Sequence, residues 1–192
     1  MTARLVYVDS SLVNHTLSAV NFGGSNAQHI YLGSTLVWTA PSTATWISAP
    51  SGNMYLAQYT PSANMTVASF SMIHSVNSTY NAVCAIYTVS GTTATPVTGA
   101  CISGTAGITI TTGSVLGAYT QYTYKQTYTT KPSLTAGTTY YFYVGDRYVT
   151  QYDLSGNSNV PGYIYDWAFS ATGTASYNTP GISALSLTVV AG

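Results

Sequence analysis

The side chains that perform most enzymatic chemistry are scarce in this chain and far apart along it. The groups able to act as general acids or bases are Asp9, Asp146, Asp153, Asp166, His15, His29 and His74, and Glu is absent. A Ser-His-Asp triad would need a nucleophile held at a strained turn, but no G-x-S-x-G motif is present. A glycosidase pair would have to come from the three Asp between residues 146 and 166. We therefore predict that the protein is not an enzyme.

Metal and phosphate sites are equally poorly supported. Residues 153–159 read DLSGNSN, which loosely fits an oxygen-ligand calcium loop but lacks its acidic density and its terminal Glu. The segment is better interpreted as an Asx-rich turn, in which short polar side chains bond their own backbone. Gly23-Gly24 is followed by no Lys, so it does not fit a phosphate-binding loop. We expect no metal and no cofactor.

The two cysteines, Cys84 and Cys101, leave two interpretations open. If residues 82–103 form a hairpin around residues 91–95, the two side chains face each other across the strands, and a disulfide would form in oxidising surroundings. The alternative is a pair of buried free thiols. A zinc site is not expected, because no His lies near either sulfur.

The distribution of charge excludes further classes of function. Residues 10–124 contain no charged side chain, and the whole chain of 192 residues has four cations, four anions and a net charge of zero. Nucleic acid requires a basic surface, so we expect no nucleic-acid partner. A neutral surface rich in Thr and Tyr favours association, so we expect the protein to act within an assembly. The longest apolar runs are too short to insert into a membrane, and no secretory signal is recognised at the N-terminus.

One segment concentrates both charge and aromatic side chains. Residues 145–169 read GDRYVTQYDLSGNSNVPGYIYDWAF and hold four of the eight charged residues. Rigid Tyr and Trp rings beside short polar residues are typical of binding loops, and they suit the apolar face and hydroxyl groups of a sugar. The predicted ligand contacts are Asp146, Arg147, Tyr148, Tyr152, Asp153, Tyr163, Tyr165 and Trp167. The alternative is a long sandwich loop whose charges keep it soluble and whose rings pack on strands.

Strands must position these residues, because helix periodicity is almost missing. Thr, Val, Ile and Tyr dominate, with turn residues every 8–12 positions or so, which predicts an all-β sandwich or barrel. About eight or nine strands are predicted from residue 45 onward, the number that a two-sheet jelly roll uses. Residues 134–140 match the Leu-x-x-Gly-x-x-Tyr spacing of a tyrosine corner. Tyr122, Tyr124 and Tyr128 share a face that is interpreted as core, with a stacking platform as the alternative.

The first forty residues have a different character. Residues 4–8 are a predicted short strand, and Gly33-Ser34 is a tight-turn signal between apolar flanks. This piece is too small to enclose a core, so we expect it to dock on something larger. The predicted organisation is an N-terminal β segment over residues 1–40 followed by an antiparallel two-sheet, jelly-roll-like β-sandwich over residues 41–192.

Two stretches resemble proteins of bacteriophage particles. HIYLGSTLVW at residues 29–38 resembles a short segment near the N-terminus of minor tail and adhesion proteins. AIYTVSG at 85–91 followed by LTAGTTYYF at 134–142 is similar to carbohydrate-binding-like modules of tail proteins. The first resemblance implies a virion-anchoring segment, formed by Ile30, Tyr31, Leu32, Leu36, Val37 and Trp38. The second implies a structural or receptor-contacting role in the particle.

These observations lead to a main hypothesis and three alternatives. The main hypothesis is a non-enzymatic bacteriophage virion protein that projects from the particle and contacts a host-surface polysaccharide. It would be assembled in the host cytoplasm with other virion proteins, form a homo-oligomer, with a trimer favoured, and be released by lysis. The alternatives are a decoration or connector protein of capsid or tail without a ligand, a bacterial carbohydrate-binding module, and a glycan hydrolase.

Overall fold

The computed structural model describes residues 44–50, 52–149, 151–155, 162–179 and 185–192, with only the backbone of residue 151. It also describes the backbone of four short strands between residues 21 and 39. The chain divides into two compact units, Met1–Thr43 and Ala44–Gly192.

The described part of the first unit consists of two short antiparallel pairs. β1 (Asn21–Phe22) pairs with β2 (Ser25–Asn26), and β3 (His29–Leu32) pairs with β4 (Thr35–Thr39). His29 lies opposite Thr39, and the register shifts between Ile30 and Tyr31. The residues predicted to anchor the chain lie on β3 and β4, but their side chains, like the predicted strand at 4–8, lie outside the described residues. Anchoring therefore stays a prediction.

The second unit is built from strands and one short 3-10 turn. The strands are β5 (Thr45–Ala49), β6 (Asn53–Tyr55), β7 (Ala57–Tyr59), β8 (Met65–His74), β9 (Ala82–Ser90), β10 (Thr93–Pro96), β11 (Ile102–Ser103), β12 (Ile108–Leu116), β13 (Tyr119–Thr127), β14 (Ser133–Leu134), β15 (Tyr140–Asp146), β16 (Gln151–Ser155), β17 (Tyr163–Tyr165), β18 (Ala175–Asn178) and β19 (Leu187–Ala191). The 3-10 turn covers Asp166–Ala168. Among the described residues, no helix has the length and apolarity needed to span a bilayer.

Two antiparallel sheets form this unit. The first, here called the curled sheet, has the order β6-β17-β18-β10-β9-β15-β7, with β11 paired to β9. The second, called the open sheet, has the order β12-β13-β8-β16-β5, with β14 and β19 paired to β8. The predicted all-β, two-sheet antiparallel architecture is confirmed.

The curled sheet is almost closed on itself. Its two edge strands, β6 and β7, are separated only by Leu56, so the first and last strands of the order are consecutive in the chain. The Leu56 amide donates to the Gly162 carbonyl at 2.9 Å and continues the pairing with the β17 side. Closure removes exposed strand edges. It also creates an interior inside the sheet, separate from the core between the two sheets.

Each face of the curled sheet therefore packs against a different core. Alternate residues point to opposite faces, so Cys84 and Ile86 join the core between the sheets, while Val83 and Tyr87 fill the interior of the curl. The predicted alternation along residues 83–88 is thus present, but neither face is solvated. The core between the sheets also holds Phe70, Met72, Tyr124, Tyr128, Phe142 and Val144.

Both cysteines are buried free thiols on different faces of the curled sheet. The hairpin predicted over residues 82–103 forms, but Thr93 lies opposite Ser90 whereas Ile102 lies opposite Cys84. The loop between β10 and β11 shifts the register, and a shift of one residue turns a side chain to the opposite face. Cys101 thus points into the curl and away from Cys84, which corrects the disulfide interpretation.

Two predictions about tyrosine are confirmed. The Tyr140 hydroxyl accepts a hydrogen bond from the Thr135 amide at 2.8 Å, which is the tie that defines a tyrosine corner. Tyr124 and Tyr128 are buried, and Tyr122 packs against the same core, so this face is core. The Tyr124 hydroxyl lies 2.7 Å from the Val76 carbonyl and also contacts the backbone of Ser78, which fixes the end of β8.

Candidate functional site

The two carboxylates at the start of the predicted ligand-binding segment are interior groups. Asp146 is 1% exposed, and it accepts hydrogen bonds from the Ser78 hydroxyl at 2.5 Å and from the Asn81 and Tyr148 amides at 3.1 Å. Asp153 is fully buried and pairs with His74. A carboxylate enclosed in this way cannot reach a ligand at the surface. The structure therefore gives no support to ligand contacts by Asp146 and Asp153, because both side chains are buried and tie strands and loops together.

The His74–Asp153 pair has the composition of a catalytic dyad but not its geometry. His74 Nδ1 contacts Asp153 Oδ1, while His74 Nε2 donates to the Val144 carbonyl at 2.6 Å. In a hydrolytic triad that second nitrogen must face the nucleophile. Here it is occupied by backbone, and the ring packs edge-on to Tyr124 with centroids 5.0 Å apart. The pair joins β8 to β15 and β16, so its role is to hold the two sheets in register.

Four aromatic rings form a continuous row at one edge of the curled sheet, here called the aromatic row. Its members are Tyr55, Tyr163, Tyr165 and Trp167. Tyr55 lies opposite Tyr163 in the pairing of β6 with β17, and their rings are 5.8 Å apart. The two-residue period of β17 places Tyr165 on the same face, 5.5 Å from Tyr163, while Ile164 points into the curl. Trp167 then stacks on Tyr165 at 5.5 Å with an interplanar angle of 14°.

The row runs from the interior to the solvent. Tyr55 is buried, Tyr163 and Tyr165 are partly buried, and Trp167 is 72% exposed. Burial raises the pKa of Tyr55, and hydrogen bonding with the Tyr165 side chain raises that of Tyr163. Both hydroxyls therefore remain protonated at neutral pH and can donate or accept a hydrogen bond. The nearly parallel, partly solvated rings of Tyr165 and Trp167, with tyrosine hydroxyls beside them, suit the mixed polar and apolar surface of a sugar.

The 3-10 turn holds Trp167 in its exposed position. The Asp166 amide donates to the Gly52 carbonyl at 2.9 Å, and the Phe169 amide donates to the Asp166 carbonyl at 3.1 Å. The Asp166 carboxylate also accepts from the Trp167 amide at 2.5 Å. Gly52 has φ +98°, a conformation that favours glycine and lets the preceding loop meet the turn. An exposed Trp on a braced turn loses little conformational entropy when a ligand covers it.

Arg147 lies between two aromatic rings. Its guanidinium carbon is 4.5 Å from the centroid of the Tyr148 ring and 5.4 Å from that of the Phe169 ring. Tyr148 is 42% exposed, whereas Phe169 packs against the interior of the curl. The guanidinium is therefore held by cation–π contacts beside the interior of the curl, and Phe169 follows the turn that carries Trp167.

Tyr152 belongs to a different aromatic cluster. Its ring lies 4.4 Å from that of Tyr119, which in turn packs edge-on against Trp46 at 5.9 Å. The Trp46 indole donates to the Leu116 carbonyl at 2.8 Å, so this cluster braces the β12–β13 hairpin against β5 and β16. Tyr152 does not contact the aromatic row. If Tyr152 binds a ligand as predicted, it does so at a different place on the surface.

A shallow groove of about 320 Å³ lies elsewhere on the unit. It is lined by Val97, Thr98, Gly99, Thr130, Lys131, Pro132 and Ser133. Thr98, Thr130, Lys131 and Ser133 can form hydrogen bonds there, but the lining has no aromatic ring, and so the groove is a weaker candidate for ligand recognition. Within the described ranges, no group of three or more His, Cys, Asp or Glu side chains is arranged to hold a metal ion.

The structure thus keeps three of the predicted contacts together, Tyr163, Tyr165 and Trp167. Arg147 contacts Tyr148 and Phe169, the residue that follows the turn. Sequence reasoning missed Tyr55 and Phe169. Tyr55 lies in a segment recognised only as a strand, and its pairing with Tyr163 is long-range. Phe169 belongs to the aromatic segment 145–169, but its contact with Arg147 depends on the 3-10 turn, which the sequence did not predict. No family model, curated protein or solved structure matches the chain.

Proposed function

We propose that this protein is a glycan-contacting component of a virus particle, in which the second unit presents the aromatic row to a host-surface polysaccharide. The observation that carries the glycan part of the proposal is the stacked pair of Tyr165 and Trp167, with Trp167 72% exposed on a braced turn. Burial would normally be expected for so large an apolar side chain, and exposed apolar area next to partly solvated rings is typical of a binding surface.

A sugar fits this surface better than a peptide or a nucleic acid. The outer end of the row is a pair of nearly parallel rings, Tyr165 and Trp167, with an interplanar angle of 14°, whereas peptides usually bind in grooves or along free strand edges. Nucleic acid would need several basic side chains along a track, and Lys125, Lys131 and Arg147 are the cations of the second unit. A pyranose ring can place its C–H face on Trp167 and its hydroxyls against the Tyr163 and Tyr165 hydroxyls.

The chemistry of the described residues favours binding without catalysis. The three carboxylates of the second unit, Asp146, Asp153 and Asp166, are buried and engaged in hydrogen bonds with neighbouring backbone or side chains. Hydrolysis of a glycoside would require two carboxyl groups facing the scissile bond. The alternative as a glycan hydrolase therefore has less support than that of a binding protein.

The virion assignment depends on the sequence resemblance and on the division into two units. The resemblance of residues 29–38 to segments of tail and adhesion proteins coincides with β3 and β4 of the first unit. In this proposal the first unit attaches to other virion proteins and the second unit meets the host surface. Many copies on one particle, arranged as homo-oligomers, would raise a weak single-site affinity through avidity.

Substitution of Trp167 by alanine tests the binding function directly. Removing a central exposed Trp from a recognition surface is expected to weaken binding by about thirtyfold, because such residues contribute about 2 kcal/mol or more. The measurement is retention of the purified protein on an array of host-surface polysaccharides. The matched control is Tyr80→Ala, which removes an aromatic ring that is 91% exposed but lies outside the aromatic row.

The expected result is loss of retention for Trp167→Ala and normal retention for Tyr80→Ala. Equal retention of both variants would show that the aromatic row is not the contact surface. The second candidate, a decoration or connector protein without ligand, would be favoured if the unaltered protein bound no glycan but was present in purified particles.

A further inference from the structure

Strand β12 forms one edge of the open sheet. It pairs with β13 on one side, and no strand of the described ranges pairs with it on the other side. Its side chains are exposed or only partly buried along its whole length. An edge strand presents a row of unpaired backbone N–H and C=O groups, which can pair with a strand of another chain. The curled sheet avoids such edges by closing on itself, whereas the open sheet keeps this one.

The hydrogen bonds of β13 alternate between its two neighbours. The Thr127 amide donates to the Gly107 carbonyl at 2.9 Å on the β12 side, and the Tyr128 amide donates to the Ala68 carbonyl at 2.9 Å on the β8 side. Hydrogen-bonded and non-hydrogen-bonded pairs alternate along an antiparallel ladder. Every second residue of β12, counted from Gly107, is therefore hydrogen-bonded to β13 as far as the register shift after Thr112.

This alternation directs the backbone of Ile110 and Thr112 away from the sheet. Thr109 and Thr111 lie in the hydrogen-bonded pairs with β13, whereas Ile110 and Thr112 lie in the pairs between them. The amide and carbonyl groups of Ile110 and Thr112 therefore face the open side of the strand, where a second strand can reach them.

The edge lacks the features by which proteins usually block strand addition. β12 reads ITITTGSVL, with no charged residue and no proline, and its Ile and Thr residues favour extended backbone. A β-bulge is another protective feature, but the register shift lies between Thr112 and Val115, after the fifth residue of the strand. The regular part of the edge, residues 108–112, is thus open to pairing.

We propose that β12 pairs with β12 of a second copy of the protein, antiparallel and about a two-fold axis, so that two open sheets join into one. Identical strands related by such an axis present the same surface to each other. A register that joins the outward-facing groups of both copies also brings like faces together. Ile108 and Ile110, which pack against the core between the sheets, then lie beside the same face of the other copy, and Thr109 and Thr111 lie beside its threonines.

The charge of the chain favours a second copy as the occupant. The net charge is zero, and the strands of the open sheet carry one lysine, Lys125, on β13 opposite Thr109. Two copies therefore meet without strong repulsion, and a charged partner of another kind would gain no complementary contact from β12. The pairing gives a dimer and not the trimer favoured by the sequence. It is independent of the proposed glycan binding, because the aromatic row lies on the curled sheet.

Two variants block the edge in different ways. Thr112→Pro removes an outward amide and leaves the hydrogen bonds to β13 in place, and edge strands tolerate proline. Thr111→Lys places a positive charge on the edge of each copy. The matched control is Ser48→Lys, which adds the same charge at an exposed position of β5, the other edge strand of the open sheet. Thermal unfolding followed by circular dichroism confirms that each variant is folded.

Sedimentation velocity of the full chain, between about 1 µM and 1 mM, measures the assembly, because small interfaces assemble in this range. The unaltered protein is expected to shift from 20.2 kDa to twice that mass as its concentration rises. Thr112→Pro and Thr111→Lys should each raise the dissociation constant about tenfold or more, and Ser48→Lys should leave it unchanged. A monomer over the whole range, a trimer, or a dimer that both β12 variants leave intact would overturn the proposal.

Amide hydrogen exchange locates the interface independently of the variants. The amides of Ile110 and Thr112 should exchange slowly in the dimer and fast in the dilute monomer, while the Thr109 and Thr111 amides, which bond to β13, stay protected in both. A dimer in which the Ile110 and Thr112 amides exchange as fast as in the monomer would overturn the pairing of β12. Retention of Thr112→Pro on the polysaccharide array reports on the aromatic row alone, so the failure of either proposal is seen separately.

Discussion

At the scale of single residues, the chain has few charged side chains, and each of the three described aspartates has a structural role. Asp146 gathers the loops around Ser78 and Asn81, Asp153 pairs with His74, and Asp166 braces the turn beneath Trp167. Buried carboxylates persist in folded proteins only when they are hydrogen-bonded or paired, and these three satisfy that condition. The large exposed side chains that remain include the aromatic residues Tyr80, Tyr148 and Trp167. A surface of this kind can bind a ligand through direct contacts with its aromatic rings.

The two thiols provide a test at the same scale. Burial raises the pKa of Cys84 to about 11 and that of Cys101 to about 12. The thiolate is the reactive form, so neither sulfur should react with an aromatic disulfide reagent at pH 8 while the protein is folded. In guanidinium chloride without reductant, both should react. Absence of reactive thiols in the denaturant would indicate a disulfide and contradict the register described above.

The same shifts set a direction for the dependence of stability on pH. Because the pKa of each thiol is higher in the folded state than the ordinary value of 9.0, the unfolded chain loses these protons first as pH rises. The stabilisation is complete below pH 9 and is lost as the pH rises through the folded-state values. The free energy of unfolding should therefore decline above pH 9, and less steeply in Cys84→Ala than in the unaltered protein.

At the scale of elements, the tyrosine corner is the connection most open to a precise test. Tyr140→Phe removes the acceptor of the Thr135 amide and should reduce the free energy of unfolding by about 1 kcal/mol. For a unit of this size, that corresponds to a fall of about 2–4 °C in the midpoint of thermal unfolding. Urea and thermal unfolding followed by circular dichroism would measure both quantities.

The control for the corner is Tyr122→Phe. Tyr122 packs against the same core, but its hydroxyl makes no hydrogen bond within the described part of the chain. This variant should unfold at the same urea concentration as the unaltered protein. If the two substitutions have equal effects, the hydroxyl of Tyr140 contributes nothing specific, and the corner is only a feature of packing.

Local patterns predicted the strands well wherever one side-chain alternation ran unbroken. The faces assigned to Tyr140, Phe142 and Val144 and to Leu185, Leu187 and Val189 are the faces that pack on the core between the sheets. The Leu-x-x-Gly-x-x-Tyr spacing also predicted a real hydrogen bond, since the whole motif is local. Local chemistry was sufficient in these cases because each prediction depended on neighbours within about seven positions.

Features that depend on distant contacts could not be predicted. The second unit has more strands than the eight or nine expected, since short strands such as β16 and β18 are defined by their partners more than by their own residues. The predicted disulfide between Cys84 and Cys101 is absent, because the loop between β10 and β11 shifts the hairpin register. The burial of Asp146 and Asp153 was likewise invisible, because their partners Ser78 and His74 lie more than sixty residues away.

At the scale of the whole molecule, the curled sheet carries the aromatic row on which the proposed function depends. The pairing of β6 with β17 within this sheet brings Tyr55 against Tyr163 and starts the aromatic row. Phe169 packs against the interior of the curl and contacts Arg147. Oligomerisation and attachment to a particle remain predictions from the sequence.

A map of the ligand contact on the protein would show whether the aromatic row binds the glycan. The full chain labelled with ¹⁵N would be titrated with an oligosaccharide retained on the array, while backbone amide and indole resonances are followed. We expect the shifts to concentrate on Tyr163, Tyr165, Trp167 and Phe169 and to include the Trp167 indole N–H. Shifts confined to the groove formed by residues 97–99 and 130–133, with the Trp167 indole unmoved, would contradict this expectation.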